Sequence, residues 1–294
     1  MKILYCADFE GASEYSLEKV RPFLKDDCVI DIISVIETGV WPVFQEFPEK
    51  LKESRKQRLQ AVKSQLEGKG FKVGETHCPL GNAGDGILQR IYSDDYSLVV
   101  TGSRRRAVLG VRLGSTSRKI VEKSPVPIFV ACRTGGITLQ SPAPKVLFAV
   151  DDTENSYNSI RTAASIFNFE STANEIVYVK SDIEVLPPEI QVDREWMAKI
   201  ALIAQEHAEE VIAKTTELAE ENGIKIGSKV VLEGFPVDEI LKYLNKNPKD
   251  LIIMGSHGRE GLSSLLLGSV SRAILDNICQ PIVIIPVKRQ KRIA

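Results

Sequence analysis

In this 294-residue chain the residues best placed for chemistry are Gly255-Ser256-His257-Gly258 and, after nine intervening residues, Gly268-Ser269. Glycines let a backbone come close to a phosphate. A helix that starts at Gly268-Ser269 would aim free N–H groups and a positive dipole end at an anion, and the hydroxyls of Ser269 and Ser271 add donors. The pattern is not a P-loop, because no Lys-Ser/Thr pair follows the glycines, and no GxGxxG follows the first strand. His257 reads either as a ligand contact or as an exposed loop residue. Asp151 and Asp152 are either paired carboxylates or a polar turn that caps a helix from Asn155. His207 lies on the stripe Ile200, Ala204, His207, Val211, Leu218 and is expected to pack; His77 follows a strand with no partner triad in view. There is no HExxH, no Ser-His-Asp order with a glycine elbow and no Walker lysine, so turnover is not expected.

Positioning these groups takes a regular α/β scaffold. Lys145 to Val150, Glu175 to Val179, Lys225 to Leu232, Leu251 to Met254 and Ile282 to Pro286 read as strands. Between them, helices are predicted from the Asp151–Ser156 turn to Phe167, from Asp193 to Asn222 with Gly223 as the stop signal, over Pro236–Asn245 and over Ser269–Asn277. Runs such as LIIMG do not alternate, so these strands are buried on both faces, as in a parallel sheet covered by helices. Repeated βα units give a doubly wound sheet of about five strands. Ligands bind such sheets beyond the carboxyl ends of the strands, near the switch in strand order.

The first half repeats the second. GSTSRKIVEKSPVPIFV (114–130) matches GSVSRAILDNICQPIVI (268–284) at an offset of 154, KILYCAD (2–8) matches KVLFAVD (145–151) at 143, and SLVVTGS (97–103) matches DLIIMGS (250–256) at 153. The predicted strands of this half are Ile3–Ala7, Val29–Ile36, Lys72–Thr76, Leu98–Thr101 and Ile128–Ala131. Two domains are expected, 1–133 and 144–294, with Arg133–Pro144 as a short Gly/Ser/Pro connector. The aromatic segment Gly39–Pro48 is a lid or interlobe contact, or else touches a ligand. In the N-terminal half Gly102 and Gly114-Ser115 are kept and Asp8 stands where Asp151 does. The second glycine is lost in Gly102-Ser103-Arg104-Arg105-Arg106, and the spacing is one residue shorter. A β-carbon there blocks close backbone approach. Arg105 and its neighbours make this half either a degenerate partner or a site for a different anion or a weaker nucleotide.

Gly-x-x-Gly-(nine residues)-Gly-Ser, framed by LIIMGSHG, SRAIL and PIVIIP, together with KVLFAVD and GFPVDEIL (234–241), resembles the ATP-binding signature of universal stress proteins. The likeness spans both halves and is complete in the C-terminal one. It implies two tandem five-stranded doubly wound domains, Rossmann-like and of the adenine-nucleotide α-hydrolase kind, packed as a pseudo-dimer. It implies ATP in the C-terminal lobe: Ala149, Val150 and Asp151 beside adenine and ribose, Val179 in the adenine slot, Met254 and Gly255 toward ribose and phosphates, His257 and Gly258 at the phosphate loop, and Gly268, Ser269, Val270 and Ser271 on the triphosphate. Mg or Mn would bridge the phosphates, since no protein cluster offers a metal site alone. Asp8, Gly102, Arg105, Gly114 and Ser115 would be the degenerate counterpart. In family dimers the last strands pair; here PVPIFVAC and QPIVIIPV can do so within one chain, with a homodimer of chains left open.

Composition narrows the classes. Lys plus Arg is 38 against 39 Asp plus Glu, so no basic field marks a nucleic-acid binder. No apolar run approaches the roughly 20 residues of a membrane span, and MKILYCADFE has no signal-peptide h-region. Five scattered cysteines without a CxxC pair suit buried thiols in a reducing compartment, hence the cytoplasm. The leading expectation is a nucleotide-dependent regulator with at most slow ATPase activity. The alternatives are an interaction scaffold for protein partners with a vestigial nucleotide site and, last, an adenine-nucleotide hydrolase, against which the absence of an SGGxDS-type loop counts.

Overall fold

The computed structural model describes residues 1–9, 12–37, 48–103, 113–132, 143–180, 194–257 and 267–287. Its strands are β1 Lys2–Cys6, β2 Val29–Ile33, β3 Lys72–His77, β4 Leu98–Ser103, β5 Ile128–Cys132, β6 Lys145–Val150, β7 Ala173–Lys180, β8 Ile226–Glu233, β9 Leu251–Gly255 and β10 Ile282–Ile285. The helices are α1 Ala12–Val20, α2 Pro48–Gly68, α3 Ala83–Ser93, α4 Ser115–Lys123, α5 Glu154–Ile166, α6 Arg194–Glu221, α7 Pro236–Lys246 and α8 Ser269–Asn277. Elements match the sequence expectations within a few residues. Strand β2 stops at Ile33 rather than Ile36, which forms only an isolated bridge to Leu80. Gly39–Phe47 and 133–142, the aromatic segment and most of the connector, lie outside the described residues.

Local chemistry sets the element ends. Helix α3 is capped by Asn82, whose side chain accepts from Asp85 N–H at 3.1 Å. Pro236 opens α7, with Asp238 and Glu239 in the first turn and Lys246 in the last, which suits the helix dipole. Helices α2 and α6 stop alike. Gly70 (φ +85°) and Gly223 (φ +79°) take the left-handed conformation, and Phe71 N–H and Ile224 N–H reach back to Leu66 and Ala219 carbonyls.

The strands form one ten-stranded sheet in the order β3-β2-β1-β4-β5-β10-β9-β6-β7-β8. Within each half every pairing is parallel, and the order reverses between β1 and β4 and between β6 and β9. The two five-stranded sheets expected from the sequence are therefore fused: β5 and β10 pair antiparallel, with Phe129 opposite Val283. Pairing the two most apolar edges removes both from solvent. The remaining edges, β3 and β8, expose Lys72, Glu75, Lys229 and Glu233. Apolar cores cover both faces of the sheet and run through both halves.

Contacts across the seam are reciprocal. Arg118 on α4 pairs with Asp276 on α8 at 2.6 Å, and Arg272 on α8 with Glu122 on α4 at 3.5 Å. On the other face Leu24 bridges its own repeat equivalent, Phe167, while Asn168 N–H donates to Phe23 O at 2.7 Å. This is the isologous pattern of a two-fold dimer, built inside one chain.

Candidate functional site

At the carboxyl edge of the C-terminal half, three strand ends lie side by side. Ala149 is in register with Met254 on one side and Val177 on the other, so the residues that follow (Asp151, Val179 and Gly255) stand at one carboxyl edge, at the switch point where such sheets place their ligand crevice. Ala149, Met254 and the half-buried Val179 share the face covered by α7 and α8. Val150 does not. Alternation along β6 turns it into the opposite core with Tyr157 and Ile160, leaving only its backbone toward the crevice.

The first loop is closed by its own side chains. Asp151 Oδ1 accepts from Thr153 N–H at 3.1 Å and Thr153 Oγ1 at 2.5 Å, and Asp151 N–H donates to Ser156 Oγ at 3.0 Å. Thr153, not Asp152, is the cap of α5, accepting from Ser156 N–H. Asp152 instead turns to His207, whose Nε2 lies 3.1 Å from its Oδ2. His207 is half-buried and packs edge-on against Tyr178, as a packing residue would, but it also ties the first loop to α6.

The second loop leaves β9 at Gly255. A β-carbon on Gly255 would stand 2.9 Å from Asn155 Nδ2, which donates to the His257 carbonyl at 2.5 Å. Asn155 therefore holds this loop against α5, and glycine is needed at 255 to let it in. Ser256 is a second brace. Its N–H donates to Ile285 O and its carbonyl accepts from Gly268 N–H, at 2.7 and 2.8 Å; its hydroxyl meets His257 Nδ1 at 2.9 Å and accepts from Val287 N–H. Gly258 lies outside the described residues.

Gly268 caps α8 at φ −59°, ψ 156° with no side-chain cap. Its N–H is taken by Ser256, and the first helical bond runs from Arg272 N–H to Gly268 O at 2.9 Å. Helix geometry thus leaves the amides of Ser269, Val270 and Ser271 without a carbonyl inside the helix. Ser269 is exposed; Ser271 is buried, and its hydroxyl donates to Gly255 O at 2.7 Å. The Ser271 hydroxyl therefore fastens strand to helix, and its amide is the group left for an anion. Sequence reasoning named Ser256 in the motif and Asn155 at a helix start but gave neither a bracing role, since neither type announces a loop brace; Asn155 has no equivalent in the other half, where Ala12 stands.

The N-terminal half repeats much of this frame. Asp8 N–H donates to Ser13 Oγ at 3.0 Å, and Ser117 Oγ donates to Gly102 O at 3.0 Å. Gly114 caps α4 at φ −60°, ψ 154°, with open space where a β-carbon would go, and Ser115 begins the helix. Arg105 lies outside the described residues. Ser103, the counterpart of Ser256, is buried, and its hydroxyl has no hydrogen-bond partner among the described residues.

His77 is not isolated, contrary to expectation. Its Nε2 lies 3.6 Å from Asp31 Oδ2 and 3.5 Å from Glu75 Oε2, and these three side chains come close enough to ligate one ion. The fully buried Asp31 is already served by Tyr96 OH at 2.8 Å, Lys2 Nζ at 3.0 Å and Glu75 N–H at 2.9 Å, with Arg90 Nη2 at 3.9 Å. Burial alone would raise the Asp31 pKa, but these donors overcome it and hold the carboxylate below its ordinary value. Burial, then the Arg90 charge, keeps His77 below the ordinary imidazole value. With Lys2 and Arg90 in place, the cluster is a neutralised ion network rather than a cation site. Its counterpart in the other half is Glu175, bound by Tyr243 OH at 2.8 Å and Lys249 Nζ at 2.6 Å.

Among the described residues no helix is long and apolar enough to cross a membrane. None of the five cysteines is in a disulfide, and Cys6 and Cys132 are buried. Comparison with known proteins agrees with the duplicated fold. A universal stress protein of Methanocaldococcus jannaschii is 32% identical over 141 residues, 48% of this chain and 81% of that protein. A second from the same organism is 24% identical over 152 residues, 48% of this chain and 93% of that protein. The crystal structure of a universal stress protein from Archaeoglobus fulgidus superposes with a TM-score of 0.68 at 20% identity, covering 97% of this chain and 98% of that one. The Universal stress protein family profile matches twice, over residues 1–131 and 143–286, and the chain belongs to that family.

Proposed function

We propose that this protein is a regulator that binds an adenine nucleotide, ATP in the first place, in the crevice of its C-terminal half. One observation carries the reading: the N-terminal amides of α8 stand at the switch point beside a loop whose backbone is braced by Asn155 and Ser256. Free amides at a helix start, with the positive end of the dipole, stabilise phosphate oxygens without a side-chain cation. Ala149, Met254 and Val179 supply the apolar wall on which a base would rest, and Asp151 and His257 stand at its rim. The triphosphate would carry its own Mg or Mn, since the crevice offers it no cluster of carboxylates beyond Asp151 and Asp152.

No Walker lysine follows the glycines of this motif, so the bound state would be long-lived and hydrolysis slow. Signalling would follow from any difference in nucleotide affinity between two states of the seam or of a partner surface. Cysteines without a disulfide suit a reducing compartment such as the cytoplasm. The test is to denature freshly purified protein and identify the released nucleotide by chromatography. About one ATP per chain is expected. No released nucleotide, and no calorimetric binding of millimolar ATP-Mg, would leave the scaffold reading in its place.

A further inference from the structure

The two outer edges of the ten-stranded sheet hold the same place in their repeats, but only one of them is guarded. At an offset of 153, GETHCPLG (74–81) aligns with GSKVVLEG (227–234). The closing glycines, Gly81 and Gly234, both take positive φ, +134° and +132°, so the backbones follow the same alignment. On the first edge Lys63, from α2, donates to the Gly74 carbonyl at 2.9 Å, and β3 ends at His77, two residues before Pro79. A lysine laid on an edge and a proline are usual devices that stop a strand from pairing further.

The second edge lacks both. Thr216 stands where Lys63 does and turns its hydroxyl to Ile212 O in its own helix, at 2.7 Å, and Leu232 stands in place of Pro79. Strand β8 runs on for 8 residues, against 6 in β3. Among the described residues it pairs with β7 alone, and no hydrogen bond reaches its other side. Val231 packs on the core beneath α6, and Val230 and Leu232 pack on the core beneath α7, so both faces stay apolar up to the edge. Alternation sets Lys229 and Glu233 on the same face as Val231. Lys229 is exposed and makes no ion pair among the described residues. Glu233 lies 2.9 Å from Lys180 Nζ but keeps 55% of its side chain exposed.

We propose that this edge joins two copies of the chain, β8 against β8, antiparallel about a two-fold axis through Val231. That register sets Lys229 of each copy opposite Glu233 of the other, Val230 opposite Leu232, and Val231 opposite itself. Opposite charges directly across an antiparallel pair are stabilising, and so are apolar pairs. A slip of one residue would set Lys229 against Leu232 and lose both charge pairs, so the charges fix the register. Each contact is repeated with the partners exchanged, as a two-fold interface requires. The chain already uses this mode at its own seam, where β5 and β10 pair antiparallel from Ile128 to Val130. The β8 ladder, from Lys229 to Glu233, is longer. It lies beyond β7, apart from the α8 crevice, and does not depend on nucleotide.

The experiment is sedimentation equilibrium of the full chain over a concentration series. The wild type should be a reversible dimer. Lys229→Glu sets a carboxylate opposite each Glu233 and should weaken the dimer by about tenfold or more, since like charges directly opposite are destabilising. Because it changes an exposed side chain, this variant should melt like the wild type. Lys229→Glu/Glu233→Lys exchanges the charges within the same register and should bring the affinity back to within about threefold of wild type. Lys72→Glu, a charge reversal on the guarded edge, should leave it unchanged. A chain that stays monomeric, a dimer that Lys229→Glu leaves intact, a double variant that stays as weak as the single one, or an equal loss in Lys72→Glu would each overturn the proposal.

Discussion

The Arg118 guanidinium donates to the Asp276 carboxylate at 2.6 Å across the seam, and the repeat-equivalent pair, Arg272 and Glu122, faces it at 3.5 Å. Each arginine and each acid sits at the same place in its own helix, so one ancestral Arg-x-x-x-acid pattern serves both sides of a two-fold contact. All four side chains are partly exposed, and such pairs contribute about 0.2–1 kcal/mol. The seam itself rests on the β5–β10 ladder and on the buried Phe129 and Val283. Asp276→Ala should therefore cost no more than about 1 kcal/mol, measured as a shift in urea midpoint, with one cooperative transition retained. Two separated transitions would show that the ion pairs, not the ladder, join the halves.

Valine at Gly268 places a branched side chain where phosphate oxygens would approach the α8 amides. Gly268→Val should abolish ATP binding by calorimetry while the melting temperature moves little, because the native φ of −59° is open to any residue. Gly114→Val, at the same φ in the other half, should leave ATP stoichiometry at the wild-type value. If Gly268→Val binds ATP normally, the α8 site is wrong.

Asn155→Ala separates loop bracing from ligand contact. It removes the bond to the His257 carbonyl and opens the space beside Gly255. Losing one such bond costs about 1 kcal/mol of stability, and ATP affinity should fall several-fold because the loop is no longer held at its binding position. Unchanged affinity would mean the loop is held by Ser256 alone.

The duplication and the doubly wound parallel sheet of each half were legible because buried parallel strands leave unbroken apolar runs, and because GS-x-SR, the strands and the turns recur in order; the pairing of the last strands followed from the family resemblance alone. The placement of Val150 needed only the alternation along β6. What stayed hidden were contacts between elements distant in sequence: Asn155 reaching the His257 carbonyl, Asp152 reaching His207, and Arg55 and Arg58 lying over Phe9. His77 read as solitary because its partners are spread over β2, β3 and α3, and no local spacing encodes them. Ser271 was expected to give its hydroxyl to phosphate, but a buried hydroxyl must find a partner, and the Gly255 carbonyl is there.

The same network sets a pH dependence. His77 is held below its ordinary value in the folded chain, so the unfolded chain binds the proton more readily. Its contribution to stability is complete above about pH 6.5 and is lost as pH falls toward the folded value. Asp31, also depressed, contributes above about pH 3.9 and loses that contribution in stronger acid. Stability measured by denaturant should therefore decline from pH 7 to pH 5, and His77→Gln should flatten that part of the curve without altering the fall below pH 4. An unchanged slope in His77→Gln would assign the decline to other groups.

The buried acid offers a sharper test, because the two halves solve the same problem with exchanged parts. In the first half the cation on the helix is Arg90 and the hydroxyl beyond it is Tyr96; in the second the helix supplies Tyr243 and the cation beyond it is Lys249. Each arrangement gives its carboxylate, Asp31 or Glu175, one phenol donor and a nearby positive charge. Removing one partner of a buried charge costs about 3–5 kcal/mol, since the other is left uncompensated. Tyr96→Lys alone would crowd a third cation against Arg90 and Lys2, and Arg90→Tyr alone would strip charge from Asp31. Combined, Arg90→Tyr/Tyr96→Lys reproduces the second half's arrangement, so the double variant should be more stable than the sum of the single losses by about 1–2 kcal/mol, within the usual range for residues sharing a network. A double-mutant cycle in urea measures this term directly. A coupling near zero would show that the two positions serve Asp31 independently and that their exchange between the halves is incidental.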